Sequence, residues 1–353
     1  MILYGWLQRS DKEWNVRDYK HKRVKAVTIK EIAEEAGVSS AAVSRYFNGG
    51  SLGAEKQQRI REVVERNHYV PNAMAQTMRT GKSGQIGVIV PQIHSDSLSQ
   101  IMTGIAGELE QNDYTLILGC TDGKWEKEVQ YIETMQRNKM EGIILMGTVM
   151  TPYLNHAIKS CQIPLVVTGQ CFDGVPSVFY DDRNAMRELA ALMLKKRKNI
   201  AYIGVTEEDV AVGKLRKQGV CQAFEDAGRK TEQLMTDVSD FSVEGGYMAM
   251  ERLLKKNPHI DGVLCATDLI AHGAMRAIRE AGKRIPKDIS IAGIGNSWAD
   301  MVSEPQLTTV QLYFERCGQT AVALLTDMIK SGSTDHPISH IMLGYSVIER
   351  GSI

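Results

Sequence analysis

Polar side chains suited to binding a small hydroxylated ligand follow a series of short apolar segments in this chain. Arg216, Asp268 and Phe241 are the most informative, because a guanidinium and a carboxylate can hydrogen-bond to hydroxyls while an aromatic ring packs against a sugar face. The full candidate set comprises Gln92, Ser95, Asp96, Thr121, Asp122, Gln170, Arg216, Phe241, Asp268 and Asn296. These residues predict a sugar pocket if the fold brings them together, although each of them would serve equally well as a loop cap.

The segments that must position these residues alternate with amphipathic helical stretches. They read QIGVIV, YTLILG, GIILMG, PLVVTG and SVFY, followed by NIAYIGV, GVLCAT and ISIAGIG. Continuous apolar strands separated by helices are typical of parallel sheets that are covered on both faces. Ligands of such sheets bind at the carboxyl ends of the strands, which is where the candidate residues lie. The two runs of strands therefore predict an α/β core of two lobes, each built on a doubly wound parallel sheet.

Two short helices joined by a tight turn are predicted near the N-terminus, in the segment TIKEIAEEAGVSSAAVSRYFN. Thr28 and Glu31 have the spacing of a capping box at the start of the first helix. Gly37 suits its end, and Ser39 caps the second helix. A third helix over 54–67 carries an apolar face that would close a three-helix core. A plain helical bundle is the alternative, but the arrangement is that of a helix-turn-helix and indicates DNA recognition.

A further capped segment, from Asn72 to Gly81, follows this all-α domain. Isolated helices shorter than ~12–15 residues are marginal in water, and this segment is shorter. We therefore expect it to become helical only when two copies of the chain pack together on DNA.

Composition argues against several other classes of protein. The chain has a formal net charge of zero, and residues 25–82 hold nine Lys and Arg against six Asp and Glu, so DNA affinity must come from placed contacts. Six cysteines are scattered without metal-ligand spacing, and neither a signal peptide nor an apolar run of ~18 residues is present. The sequence therefore predicts a cytoplasmic protein with no metal, cofactor or membrane contact.

Catalysis is not expected from this chain. It contains no G-x-x-x-x-G-K-[ST] phosphate loop, no G-x-G-x-x-G after the first strand and no nucleophile elbow. The histidines of the core are unclustered in sequence, so we assign no catalytic residue. An enzyme stays the alternative that a doubly wound fold leaves open, since such folds support many chemistries.

The sequence resembles the LacI/GalR family of bacterial repressors from about Val27 to the C-terminus. The matching stretches are TIKEIAEEAGVS, VSRYFN, YVPNAMAQTMRTGKSGQIGVIVP and PQLTTV. The resemblance implies a homodimeric transcription repressor that binds a palindromic DNA operator and is released by a small molecule. A co-repressor type, in which the ligand tightens DNA binding, and a global regulator governed by a protein partner remain alternatives. The two-lobed core is also similar to periplasmic sugar-binding proteins, which require export.

The resemblance also implies how the chain divides. The expected parts are a disordered extension at 1–26, a helix-turn-helix domain at 27–70, a hinge helix and linker at 71–83 and an effector-binding and dimerisation core at 84–353. Within the core, lobe one is expected at about 84–181 and 311–338, and lobe two at about 182–310 and 339–353. Three crossings between the lobes follow, near Asp181, Val310 and Ile338. The chain ends without a leucine-zipper tail, which favours a dimer over a tetramer.

DNA-contacting residues follow from the same resemblance. The family's base-reading positions correspond to Ser40, Ala41 and Arg45, and Arg45 can hydrogen-bond bidentately to guanine. Met78 stands where the family usually places a leucine that wedges into the minor groove, and methionine keeps the apolar bulk. The remaining positions expected at DNA, mainly at phosphates, are Thr28, Ser39, Ser44, Asn48, Asn72 and Ala75.

The effector implied by the resemblance is a disaccharide or its phosphate. The stretches DDRNAMREL, GVTEEDVAVGKLRKQG, CATD and IGNS are most similar to trehalose- and sucrose-operon repressors. The family places its inducer-binding arginine and a key carboxylate at Arg216 and Asp268. Gln92 and Gln170 stand where phosphate-binding arginines are expected, so a phosphate would rely on Arg216 together with Lys214 or Lys217.

Overall fold

The computed structural model describes residues 27–47, 49–69, 82–93, 95–147, 149–332 and 337–353. The chain separates into two compact units, Met1–Thr80 and Gly81–Ile353. Within the described residues, no helix is both long enough and apolar enough to cross a membrane.

The first unit is a bundle of three helices. They are α1 (Ile29–Glu35), α2 (Ser40–Phe47) and α3 (Ala54–Arg66). The predicted capping box is present, since the Glu31 amide donates to Thr28 Oγ1 at 3.3 Å and the Thr28 amide donates to Glu31 Oε2 at 2.7 Å. After α1 the chain turns at Gly37, whose φ of 62° lies in the left-handed region that glycine adopts without strain.

The second unit is an α/β structure in which strands and helices alternate. Its strands are β1 (Gln85–Val90), β2 (Thr115–Cys120), β3 (Gly142–Met146), β4 (Leu165–Thr168), β5 (Ser177–Tyr180), β6 (Ile200–Gly204), β7 (Met235–Val238), β8 (Gly262–Cys265), β9 (Ser290–Ala292), β10 (Thr309–Leu312), β11 (His340–Leu343) and β12 (Tyr345–Ile348). Its α-helices are α4 (Asp96–Gln111), α5 (Trp125–Arg137), α6 (Pro152–Lys159), α7 (Asp182–Lys196), α8 (Arg216–Asp226), α9 (Val243–Lys256), α10 (Asp268–Glu280), α11 (Trp298–Val302) and α12 (Phe314–Ser331). A π-helix (Val210–Leu215) leads directly into α8, and a short 3₁₀ turn (Thr231–Gln233) precedes β7.

The strands form two parallel sheets, which are the cores of two lobes. Lobe one has the strand order β11-β5-β4-β3-β1-β2, and lobe two has the order β7-β6-β8-β9. All pairs within these sheets are parallel. Most apolar runs predicted as strands are buried on both faces, as in β3 and β8, because helices cover the sheets, whereas the edge strand β2 leaves Leu118 exposed.

A third, two-stranded antiparallel sheet of β10 and β12 lies where the chain crosses between the lobes. The first crossing follows Tyr180, the last residue of β5, because the next helix, α7, packs in lobe two against α8. The second follows β10, since the next helix, α12, packs against α4 of lobe one.

The third crossing differs from the sequence prediction. The predicted position of this crossing, near Ile338, is wrong. His340–Leu343 (β11) pairs in parallel with Ser177–Tyr180 (β5) and therefore belongs to lobe one. The chain crosses at Gly344, after which β12 pairs with β10. The stretch HIMLGYSVI has one continuous extended pattern, so the change of pairing partner in its middle leaves no mark in the sequence.

Candidate DNA-binding and effector-binding sites

The second helix of the first unit presents one face to solvent and buries the other. Ala42 and Val43 are buried in the same core as Ile32 and Ile60. Ser39 Oγ accepts the Ala42 amide at 3.2 Å, which fixes the start of α2. Burial of the inner face leaves the outer face of the first two turns available for a ligand.

The residues predicted to read bases lie on that outer face. Ser40, Ala41 and Arg45 are exposed, and Ser39 is exposed at the cap. Arg45 Nε donates to the Ala41 carbonyl at 3.4 Å, a long bond to its own helix that leaves the guanidinium on the surface. Ser44 is half-buried, so it is less available than its neighbours.

The other residues predicted to contact DNA are either engaged in a helix cap or lie outside the described residues. Thr28 is exposed, but its hydroxyl and amide are both engaged with Glu31 in the capping box. Asn48, Asn72, Ala75 and Met78 lie outside the described residues, as does the extension at 1–26. Their assignments therefore rest on the sequence alone.

In the second unit, the carboxyl ends of both sheets border one cleft. The two lobes meet there in an antiparallel backbone bridge between Val149, which follows β3, and Asp209, which follows β6. Asp209 is itself buried, and its carboxylate accepts the Val212 amide at 2.9 Å at the start of the π-helix. This helix places Arg216 at the first turn of α8.

Arg216 and an unpredicted partner, Asp182, form a buried ion pair inside lobe two. Arg216 Nε donates to Asp182 Oδ1 at 2.7 Å, and the two side chains are only 6% and 2% exposed. The guanidinium also donates to the carbonyl oxygen of Ala266, at the end of β8. Burial raises the pKa of Asp182, and the charge of Arg216 offsets part of that rise. The pair therefore connects α7, α8 and the end of β8. The only sequence feature that pointed to it was the pair of aspartates at the start of DDRNAMREL.

Asp268 is also engaged within lobe two. Its Oδ1 accepts the Thr309 hydroxyl at 2.7 Å, and its Oδ2 accepts the Ser297 amide at 3.4 Å. Burial and the neighbouring carboxyl of Asp300 raise the pKa of Asp268 well above its ordinary value. Asp300 Oδ1 in turn contacts His272 Nε2 at 2.8 Å.

The glycines after β9 make room for this carboxylate. A Cβ added at Gly293 or Gly295 would collide with the oxygens of Asp268. Glycine at positions 293 and 295 is therefore required by packing against Asp268, which periodicity could not have shown.

Asn296 contacts the crossing strands instead of open space. Its side-chain amide donates to Gln311 Oε1 on β10, and its oxygen accepts from Arg350 Nη2 at 2.5 Å. Its φ of 52° is unusual for a residue other than glycine. These bonds join the loop after β9 to β10 and to the segment that follows β12, which belong to two of the three crossings between the lobes.

All but one of the remaining candidates belong to lobe one; the exception is Phe241, which follows β7 in lobe two. Thr121 and Gln170 are buried at the ends of β2 and β4, and Gln170 Nε2 donates to the Gly147 carbonyl at 3.3 Å. Ser95 caps α4 by accepting the Leu98 amide at 3.1 Å, the loop-cap alternative left open above.

Four candidates keep surface at the cleft edges. Gln92, Asp96 and Phe241 are half-buried, and Asp122 is exposed. Asp96 accepts a hydrogen bond from Gln100 at 2.8 Å. Lys127, 2.6 Å from Asp122, lowers the pKa of that carboxyl through a hydrogen bond and its charge.

Lys214 and Lys217 do not share the environment of Arg216. They line a pocket of about 390 Å³ whose lining does not include Arg216, together with Arg183, Glu207, Gln218, Cys221, Gln222 and Glu225. Lys217 is paired with Glu207 at 2.6 Å. Among the described residues, no group of three or more His, Cys, Asp or Glu is arranged to hold a metal ion.

A capped helix-turn-helix joined in sequence to a cleft between two doubly wound sheets defines a class of protein: a DNA-binding regulator with a two-lobed ligand-binding domain. Residues 28–72 match the model for bacterial regulatory proteins of the lacI family, and residues 189–353 match that for a periplasmic binding protein-like domain.

Relatives and a solved structure extend this match along the chain. The sucrose operon repressor of Staphylococcus xylosus is 30% identical over 305 residues, covering 86% of this chain and 93% of the relative. Catabolite control protein A of Streptococcus mutans is 27% identical and covers 92% and 98%. The lac repressor dimer bound to operator and the anti-inducer ONPF shares the fold, with a TM-score of 0.83 at 23% identity over 93% and 99% of the two chains. The chain belongs to the lacI family and is a transcription regulator.

Proposed function

We propose that this protein is a cytoplasmic, homodimeric transcription repressor that binds a palindromic operator and is released by a disaccharide or a disaccharide phosphate. The proposal is supported by the domain order, by the exposed outer face of α2 and by relatives that include a sucrose operon repressor. It includes a helix-turn-helix domain at 27–70, a hinge at 71–83 and no catalytic activity.

The observation that carries the DNA-binding part is the combination of a fixed start of α2 with exposed Ser40, Ala41 and Arg45. A helix in the major groove contacts base edges with the residues of its first turns. Arg45 is the residue with the greatest discriminating power, because a bidentate bond to guanine contributes ~1–3 kcal/mol.

For the effector, we propose the cleft bordered by Gln92, Asp122, Gln170 and Phe241, with Arg216 as the cation nearest its inner end. The separate environment of Lys214 and Lys217 removes two charges on which a phosphate in this cleft would rely. This separation favours an uncharged disaccharide over its phosphate.

A dimer surface is proposed on lobe two. Large apolar side chains are exposed on α10 and α11, namely Leu269, Trp298, Met301 and Val302. The contact between His272 on α10 and Asp300 on α11 joins the two helices, and we propose that the four side chains contribute to one surface. Contiguous exposed apolar surface is typical of sites at which a protein contacts a partner.

Operator binding is tested with the purified full chain on the intergenic DNA upstream of its own gene. We expect retardation of a palindromic site, weakened by sucrose, trehalose or one of their 6-phosphates. Arg45→Ala should reduce affinity by ~1–3 kcal/mol and relax base preference at one position in each half-site. Lys30→Ala, on the exposed surface of α1, is the matched control for loss of positive charge.

The outcomes separate the alternatives. Binding that is strengthened by a sugar identifies a co-repressor type, and binding that no sugar alters identifies regulation by a protein partner. Absence of binding to any palindromic site at low salt would refute the repressor itself.

A further inference from the structure

Two aromatic rings of lobe one stack on each other at the protein surface. Trp125 begins α5 and Tyr153 lies in the first turn of α6, with ring centroids 5.0 Å apart and planes 14° from parallel. Tyr153 is 67% exposed and Trp125 is half-buried. One face of the Tyr153 ring is therefore covered by Trp125, and the ring remains open to solvent elsewhere.

The fold places this aromatic pair at the open end of the cleft. Trp125 follows β2, the edge strand opposite to β5 and β11, from which the chain crosses to lobe two. Tyr153 lies four residues after Val149, the point at which lobe one touches lobe two. Both rings therefore stand at the carboxyl edge of the sheet, on the side of the cleft away from the crossing strands.

We propose that Trp125 and Tyr153 form a stacking platform for the outer ring of an effector with at least two sugar rings. The negative face of an aromatic ring attracts the C–H groups on the face of a sugar, and Tyr and Trp carry polar atoms that tolerate the surrounding water. This inference rests on the proposed sugar effector and assigns to it a subsite outside the candidate residues found from the sequence.

The spacing of the strands suits a ligand of this length. Adjacent strands lie ~4.8 Å apart, so the ends of β4 and β2, three strands apart, are separated by ~14 Å. Tyr153 follows β3, which is adjacent to β4, and Trp125 follows β2, so one sugar ring near Gln170 and a second ring on the aromatic pair would lie side by side along the carboxyl edge of the sheet.

Polar groups beside the aromatic pair match the hydroxyls of a sugar. Asp122 and Lys127 lie in the same loop and first turns as Trp125, 2.6 Å from each other, with 66% and 35% of their side chains exposed. Together they offer both an acceptor and a donor to a hydroxylated ring, and their mutual pairing leaves no net charge for a phosphate.

The platform is tested by calorimetry on the full chain with sucrose, trehalose, cellobiose and glucose as probes. Tyr153→Ala should weaken binding of the preferred disaccharide about 3- to 10-fold and leave glucose binding unchanged. Tyr153→Phe, which retains the ring, is the matched control and should bind like the wild type. Trp125→Phe should abolish the change in tryptophan fluorescence that accompanies disaccharide binding.

The possible failures are distinguishable. If the wild type binds a disaccharide and Tyr153→Ala binds it equally well, the platform is wrong while the sugar effector stands. If none of the sugars binds the wild type, the proposed effector class is wrong and the platform falls with it. If Tyr153→Ala alters only sedimentation, the rings pack against a second copy of the chain, which overturns the platform.

Discussion

At the level of single residues, Arg216 shows how a side chain predicted to face a ligand is used within a lobe. Its guanidinium is held by Asp182 and by the Ala266 carbonyl, and both charged side chains are almost completely buried. Breaking such a pair leaves an uncompensated buried charge, which costs more than the pair itself contributes. Arg216 therefore has a structural role within lobe two, in addition to the effector contact proposed for it.

We expect Asp182→Ala to destabilise the protein by about 3–5 kcal/mol, because Arg216 would remain buried without its partner. Unfolding in urea, followed by circular dichroism, measures the change. Lys196 and Glu349, an exposed ion pair between α7 and the segment after β12, provide the control, and Glu349→Ala should cost no more than ~0.5 kcal/mol. Equal losses in the free energy of unfolding for the two substitutions would show that the buried pair contributes no more to stability than a surface pair does.

At the level of elements, close contact between helices decides which glycines can be replaced. Gly104 on α4 faces α12, and a Cβ there would collide with the backbone carbonyl of Glu315. Gly107, one turn further along α4, has no atom within 4 Å of the position its Cβ would take. The same residue type on one helix therefore has a packing role at one position and none at the other.

Gly104→Ala should lower the free energy of unfolding by about 1–3 kcal/mol, because one helix must shift against the other. Gly107→Ala should raise it by about 0.5–1 kcal/mol, since alanine favours the helix and has room. Thermal unfolding of the two variants measures both changes in stability. A destabilised Gly107→Ala would contradict the assignment of an open helix face.

At the level of the whole molecule, the stability of the protein should depend on the protonation of a buried glutamate. Glu128 on α5 is only 2% exposed, and burial raises its pKa from 4.5 to about 7. The folded state therefore holds this proton more tightly than the unfolded chain does. The resulting stabilisation is complete below pH 4.5 and is lost as the pH rises through about 7.

Glu128→Gln should remove this contribution, so the variant should lose less stability than the wild type between pH 5 and pH 8. Urea unfolding at intervals of about one pH unit measures both curves. Glu126→Gln, on the exposed face of the same helix, should follow the wild type. Parallel curves for Glu128→Gln and the wild type would show that the carboxyl ionises in the folded protein without cost.

The sequence by itself determined the local structure and the family. Thr28, Glu31 and Ser39 act as caps within three residues of their partners, so their spacing was enough to predict α1 and α2. The buried strands were equally legible, because a strand covered on both faces must be continuously apolar. The ends of those strands also supplied the candidate effector-binding residues, whose role stays a prediction.

Only the tertiary structure decided what those side chains contact. The partner of Arg216 is 34 residues away in sequence, and Asn296 meets Arg350 across 54 residues. Trp125 and Tyr153 stack through the packing of two helices that follow different strands. Such contacts depend on how separate elements approach in space, whereas periodicity and capping record only neighbours along the chain. For this reason the sequence could predict a cleft between two lobes, whereas the side-chain contacts around it depend on the tertiary structure.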